Sequence, residues 1–387
     1  MRILHTADWH AGRTLHGVDR TPEVRRALEE IAELAVSERA DVIVVAGDVF
    51  DSRNPSAAAE EAVYDFFLRT SAAGIPSVVI AGNHDSPARL DAVARVLRLA
   101  DVHAVGGFRP AGAGGLLTLE VGGERLKVGA LPFLSERRMV DAEALMESDV
   151  GAQRDTYRAI MRKLVDNLAG GFDHGSVNLL AMHTTFEGAT LANSEYAFHC
   201  TSSYTVPSTI VPDSANYVAL GHIHKPQSVV GLPENKARYS GSLLQLDFGE
   251  VGDAKGVLLV EASPGKPSRV TTLPLSSGRP LRRVVVEEEE LDARMAELER
   301  LDGWLKLVVR LGRPRPGLKE RLQQHLPDLL VVEQQLPGDP DEELEPIDLK
   351  GLSLVDAYQA YLREERGLEE TDALVDLFRA LHDEVSA

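Results

Sequence analysis

Five short polar clusters stand directly behind apolar runs: Asp8-Trp9-His10, Gly47-Asp48-Val49-Phe50-Asp51, Gly82-Asn83-His84-Asp85, His183 and Gly221-His222-Ile223-His224. Their donors are carboxylate, amide and imidazole, with no thiolate. That mix suits manganese, iron or zinc in a catalytic site better than a structural zinc finger. It suits Mg²⁺ less well, since that ion prefers oxygen and water. Such ligands support hydrolysis of a phosphoester at two cations roughly 3.5–4 Å apart, bridged by a carboxylate, with positions left open for hydroxide and phosphate oxygens. Asp48 is the natural bridge. Asp8 with His10, and His222 with His224, stand two residues apart, and alternation along an extended segment would turn each pair to one side. Taken singly, each cluster also reads as ordinary turn residues behind a strand, and His183 as a strand-end histidine. Their joint order and common strand context carry the metal reading. His5, His16, His103, His174, His199, His325 and His382 belong to no cluster.

The runs that would position these groups, residues 3–7, 42–46, 77–81, 177–182 and 217–220, are short and rich in Val, Ile and Leu, as buried strands are. Every cluster therefore falls at the carboxyl end of a strand. Open α/β sheets bind ligands at that edge, so groups far apart in sequence converge in one crevice. Thr21-Pro22 opens a helix with Val24, Ala27, Leu28, Ile31 and Leu34 at helical spacing. A second helix starts near Pro55 with Ala62, Val63, Phe66 and Phe67, and a third follows Pro87 with Leu90, Val93, Val96 and Leu97. Met161 and Leu164 mark another, and alternating segments over 174–273 suggest a second sheet.

The stretch 262–280 is enriched in Pro, Gly, Ser and Thr and reads as a linker. Beyond it, strands near 284–286, 304–311 and 329–332 alternate with helices near 291–301 and 318–326, a small α/β unit. Residues 336–346 are acidic and carry Pro337, Pro340 and Pro346, the composition of a flexible connection. Two amphipathic helices close the chain, one with Leu354, Val355, Tyr358, Tyr361 and Leu362, the other with Leu374, Val375, Phe378 and Leu381. Two short helices on a tether do not readily bury both apolar faces alone.

With 387 residues, 44% of them hydrophobic, the chain is long enough for a large core and one or two smaller units. No apolar stretch reaches membrane-spanning length, and the first strand begins too early for a signal peptide. A single cysteine, Cys200, excludes an intrachain disulfide framework and agrees with a cytoplasmic location. The net charge of −19 argues against a broadly basic, polyanion-binding surface, but −11 of it lies in residues 336–387. Bound cations would offset part of the rest. Arg310, Arg313, Arg315, Lys319 and Arg321 against Glu320 form a locally basic stretch, either a phosphate contact or a solvated face.

The ordered ligand set resembles the calcineurin-type metallophosphoesterase superfamily. Residues 1–10, the run Gly47-Asp48-Val49-Phe50-Asp51, and Tyr239-Ser240-Gly241-Ser242-Leu243-Leu244-Gln245-Leu246-Asp247-Phe248 are similar to the SbcD nucleases within it. The likeness is strong over roughly the first 260 residues. It implies a two-sheet αββα sandwich flanked by helices over 1–265, a small α/β capping domain over 280–335 that helps choose DNA shape, and a partner-binding helical tail over 347–387. It implies one metal on Asp8, His10, Asp48 and His224 and another on Asp48, Asn83, His183 and His222, with Mn²⁺ foremost. His84 is placed beside the scissile phosphate, to stabilise developing charge or protonate the leaving oxygen; the alternative is orientation of a neighbouring ligand. Several relatives carry histidine where this chain has Asp51, so no role transfers there. Asp51 would orient a ligand or cap a turn, and Asp85 would anchor the His84 ring. The implied function is a DNA double-strand-break repair nuclease, an exonuclease on duplex ends and an endonuclease on single strands and hairpins. It would act with the SbcC coiled-coil ATPase and as a homodimer through the helices near 56–73 and 87–99. The rival readings are a phosphatase or cyclic-nucleotide phosphodiesterase with the same metal site, and a non-catalytic DNA-end scaffold.

Overall fold

The computed structural model describes residues 1–135, 157–192, 205–337 and 374–378. Two six-stranded sheets pack face to face. The first runs Arg269–Pro274, Gly256–Glu261, Arg2–Thr6, Val42–Val45, Ser77–Ile80, Val102–Val105. The second runs Gln227–Ser228, Ala237–Tyr239, Tyr217–Gly221, Val177–His183, Glu124–Leu131, Leu116–Val121. Strand alternation divides the cores. Ile3, Val42, Val44, Val78 and Val260 face inward against Leu126, Val128, Leu179 and Ala219 of the other sheet. Their neighbours Leu4, Ile43, Val45, Val79 and Leu259 face outward beneath the helices Thr21–Ser37 and Ala57–Ala72. The helix Tyr157–Ala169 covers the outer face of the second sheet through Ile160, Met161, Leu164 and Leu168. This is the αββα sandwich expected from the sequence.

The expected second sheet over 174–273 is corrected at its end. Gly256–Glu261 and Arg269–Pro274 return to the first sheet, because the buried run Val257–Val260 pairs antiparallel with the first strand, Leu4 opposite Leu259. The first sheet therefore extends to Pro274, inside the stretch that composition marked as a linker. The second sheet gains Leu116–Val121 and Glu124–Leu131 instead.

Beyond the sandwich, Leu281–Glu287, Trp304–Arg310 and Leu329–Gln335 form a three-stranded parallel sheet. The helices Leu291–Leu298 and Leu318–Gln323 pack on it through Leu291, Leu298, Leu318 and Leu322, giving the α/β unit its own core. The helical tail expected over 347–387 and Cys200 lie outside the described residues, except for 374–378, which are helical. No helix among the described residues is long and apolar enough to cross a membrane.

Between Asp8 and His10, Trp9 is wholly buried. Its ring meets Phe66 edge-on at 5.0 Å and lies 5.7 Å from Phe67, and its Nε1 donates to Thr6 Oγ1 at 2.9 Å. The indole thus pins the end of the first strand to the helix Ala57–Ala72.

His5, which no cluster claimed, is a polar island between the sheets, with Nδ1 2.9 Å from the Tyr217 hydroxyl. Burial pushes its pKa from 6.5 down to about 3. The unfolded chain then binds a proton between those values that the folded chain refuses, so stability is full above pH 6.5 and falls as the pH drops toward 3. The expected loss is up to roughly 1.4 kcal/mol per pH unit. Urea denaturation of the parent chain and His5→Gln at a series of pH values checks this: the variant should lack that part of the slope.

Candidate metal centre

All seven expected metal-ligating side chains meet at one edge of the sandwich. Ligand atoms of Asp8, His10 and His224 lie within 4.8 Å of one another, as do those of Asp48, His183 and His222. Asp48 reaches both groups, with Oδ2 at 3.4 Å from His183 Nε2 and 3.7 Å from His10 Nε2. Asn83 Oδ1 lies 2.9 Å from His183 Nε2 and 2.8 Å from His222 Nδ1. A nitrogen of His84 falls within 4.8 Å of ligand atoms of His10 and Asp48.

The pairs two residues apart do not meet by strand alternation. Asp8, His10, Asp48 and His222 all take positive φ, at 52°, 46°, 51° and 96°, so each chain turns sharply as it leaves its strand. These are four of the seven non-glycine residues with positive φ among the described residues. Such strain persists where surrounding structure over-determines it, typically at functional sites. Here hydrogen bonds between loops supply that restraint: Asp8 N to Gly47 O, His10 N to Asp48 O and Ala11 N to Val49 O, each at 3.0 Å. Gly47, at φ 97°, cannot carry a side chain, since a Cβ would sit 2.2 Å from His183 Nδ1. At Gly82 a Cβ would fall 2.0 Å from Asp48 Oδ1.

A layer of partners behind the ligands selects which ring nitrogen faces inward. His10 Nδ1 lies 3.0 Å from Asp51 Oδ1, His183 Nδ1 2.8 Å from the Ala46 carbonyl, and His224 Nδ1 3.3 Å from Glu250 Oε1. With Nδ1–H donated outward, each ring in its neutral form presents the Nε2 lone pair to the centre. His10 Nε2 and His224 Nε2 then face each other at 3.2 Å. That separation fits two ligands of one cation, since bonds of about 2.0–2.1 Å to nitrogen hold neighbouring ligand atoms roughly 3 Å apart. The donor set and its spacing therefore fit divalent metals.

Asp51 meets the ring of His10, an expected ligand, and also accepts from Arg13 Nη1 at 3.2 Å. Asp85 does not hold the His84 ring. Its buried carboxylate accepts the backbone N–H groups of Val49, Phe50 and Gly82 at 3.2, 3.0 and 2.8 Å, tying two ligand loops together. The His84 ring is held instead by Nδ1 on the Asp51 carbonyl at 2.9 Å, and its backbone N–H donates to Asp48 Oδ1 at 2.8 Å. Glu250 went unnoticed in the sequence. It is wholly buried, paired with Lys255 Nζ at 2.5 Å, and Lys255 donates in turn to the His224 carbonyl at 3.0 Å. Its one sequence signal, a position just behind the motif ending at Phe248, does not distinguish it from a surface turn. The basic stretch of the α/β unit is partly spoken for: Arg310 pairs with Glu287 and Arg315 with Glu288.

Protonation follows from burial and from the crowding of charged groups. Burial raises the Asp8 carboxyl to about 6, against the pull of His183 and His224. Burial and the neighbouring Asp48 likewise raise Asp85 to about 6. Burial opposes charge on His183, but Asp48 outweighs it and lifts the ring to about 9. For Glu250, burial is outweighed by His224 and Lys255, which hold the carboxyl down at about 2. It is therefore an anion at neutral pH and accepts the His224 N–H.

A model of the calcineurin-like phosphoesterase family matches residues 1–226. The SbcD subunit of nuclease SbcCD from Bacillus subtilis (strain 168) is 34% identical over 388 residues, covering 98% of this chain and 97% of that protein. The protein of the same description from Rhodobacter capsulatus is 34% identical over 340 residues, covering 81% of each. Among solved structures, a dimetal phosphatase from Danio rerio aligns with 12% identity and a TM-score of 0.39, covering 70% of this chain and 98% of that one.

Loss of an outer partner is expected to loosen metal binding by about 10- to 100-fold. Glu250→Gln and Asp51→Asn should each show this in calorimetric titration with Mn²⁺, with circular dichroism reporting a retained fold. Unchanged affinity in both would show that the inner ligands hold their geometry unaided.

Proposed function

This chain belongs to the calcineurin-like phosphoesterase family and, within it, to the SbcD nuclease subunits, and from that premise we propose that it hydrolyses DNA phosphodiesters at a two-metal centre. The observation that carries the reading is the convergence of two ligand groups on the shared carboxylate of Asp48. We assign Asp8, His10, Asp48 and His224 to one cation and Asp48, Asn83, His183 and His222 to the other. Manganese is the best match to this mixture of oxygen and imidazole donors. When bound, two cations lower the pKa of water and neutralise charge on the phosphoryl oxygens.

The chain's own residues do the rest. The ligand loops, fastened by Asp85, hold the donors in place before substrate arrives. Asp51 and Glu250 fix the inward nitrogens of His10 and His224. His84, not a metal ligand, has its Nδ1 engaged by the Asp51 carbonyl, so Nε2 is the atom to meet the leaving sugar oxygen or a phosphoryl oxygen. Phe133, whose ring lies 5.8 Å from that of His222, lines the same edge.

The relatives' name couples them to an SbcC partner, and we infer the same partnership here, with residues 347–387 as the docking segment. We infer self-association through the helices Ala57–Ala72 and Pro87–Leu97. Leu68, Val96 and, just past the second helix, Leu99 stand 60%, 67% and 89% exposed, an apolar surface suited to a second copy. The sandwich as the nuclease unit, the α/β unit over 280–335 as the part that selects DNA shape, and a cytoplasmic location belong to the same reading.

The test is incubation with Mn²⁺ and end-labelled duplex and hairpin DNA, beside a phosphopeptide and a cyclic dinucleotide. DNA should be cut, with cleavage abolished by EDTA and by Asp48→Ala. His84→Ala should lower kcat by roughly 10²- to 10⁴-fold at unchanged metal content. Turnover of the small esters alone would replace the nuclease reading with a phosphatase or phosphodiesterase, and binding of DNA ends without cleavage would leave a scaffold.

A further inference from the structure

Among the described residues, the α/β unit meets the sandwich along a narrow seam. Its apolar part is small: Leu15 and Phe248 against Leu281 and Leu330, with Val18, Trp304 and Val331 partly buried around them. A contact of that size is non-directional and permits sliding. The polar part does not. Glu23, on the helix Thr21–Ser37, is 4% exposed, and its carboxylate accepts four hydrogen bonds from two sides. From its own helix come Arg20 Nε at 2.7 Å and Nη2 at 3.0 Å. From the α/β side come Trp304 Nε1 at 3.0 Å and the Arg279 backbone N–H at 2.8 Å.

Each partner is fixed in turn. Arg20 is wholly buried and donates also to the Gln245 carbonyl at 3.2 Å. The Arg279 guanidinium lies over the Trp304 ring at 4.1 Å and pairs with Asp328 at 2.7 Å. The Gln245 side chain accepts from Leu281 N–H, at the start of the α/β sheet, at 2.7 Å, and donates to the Glu250 carbonyl at 2.9 Å. Two turns along the same helix, Glu30 accepts the backbone N–H groups of Ser276 and Ser277 at 3.0 and 2.9 Å. The stretch leading into the α/β unit is therefore strapped to the helix at two carboxylates. A buried, fully bonded ion pair adds little net stability over an apolar contact, but it admits only one geometry.

We propose that Glu23 is a positioning residue which, through Trp304 and Arg279, holds the α/β unit at one setting against the metal centre, and that this setting governs the cleavage of DNA but not of small phosphodiesters. The proposal rests on the nuclease reading. A duplex long enough to touch both units feels their relative placement, whereas a small ester meets only the metal-bearing edge.

The experiment compares the full chain with Glu23→Gln and Trp304→Phe, the latter removing the indole N–H while keeping a ring beneath Arg279. For each, kcat and KM are measured with Mn²⁺ on bis(4-nitrophenyl) phosphate and on end-labelled duplex DNA, and amide hydrogen exchange is followed over 275–287. Expected are unchanged ester kinetics, a rise of roughly tenfold in KM for duplex, and faster exchange over 275–287 in both variants. Equal losses on both substrates, or unchanged duplex KM and unchanged exchange, would overturn the proposal. A parent chain that turned over the ester but left DNA intact would sink the nuclease reading, and with it the DNA half of this proposal; the exchange data would still decide whether Glu23 holds the unit in place.

Discussion

A carboxylate that accepts three backbone N–H groups from two different loops brings those loops into register without touching any ligand side chain. Asp85 is that group: Val49 and Phe50 on one loop and Gly82 on the other converge on it where it is buried. Asp48 lies on the first loop and Asn83 on the second, so their separation is set by a bond made elsewhere. An unpaired carboxylate in such surroundings would be costly, and three donors offset that cost while using N–H groups that the loops would otherwise leave unsatisfied. Left-handed backbone at Asp8, His10 and Asp48 is tolerated because the loop-to-loop hydrogen bonds leave it no alternative.

The same economy recurs around the histidines. An imidazole can bind a cation through either nitrogen, and free rings would sample both tautomers. Asp51, the Ala46 carbonyl and Glu250 each occupy one nitrogen and thereby choose the other. Glu250 performs this service from the stretch that also carries Gln245, whose side chain reaches the first strand of the α/β unit. The metal edge and the second unit thus share a framework, through Gln245 and Glu250 on one side and Arg20 and Glu23 on the other.

Much of this was legible in the residues. Each expected ligand cluster follows a run of Val, Ile or Leu, and burial of those runs forces the polar residues behind them to the strand's end. The helix Thr21–Ser37 announces itself through Pro22 and its apolar spacing, and the three strands of the small unit fall where their apolar runs lie. The sheet assignment of 256–274 was not legible. A buried strand reads the same whichever sheet receives it, and only the pairing with Arg2–Thr6 distinguishes them.

The sequence by itself determined the chemistry: carboxylate, amide and imidazole donors in a fixed order, with no thiolate, which is the composition of a phosphoester-hydrolysing metal centre. Tertiary structure alone decided how those donors are aimed. Sharp turns at Asp8, His10 and His222, and not strand alternation, set their directions. Asp85 turned out to be a loop fastener, Asp51 and Glu250 became ring-orienting partners, and Glu23 became the join between units. Their defining contacts, Asp85 with Val49 and Phe50, Asp51 with His10 and Glu23 with Trp304, join residues 35 to 281 positions apart, so the identity of each partner is fixed by which strands pair and which loops abut. No local pattern carries that information, because a buried acid on a loop or helix looks the same in sequence as one that faces water.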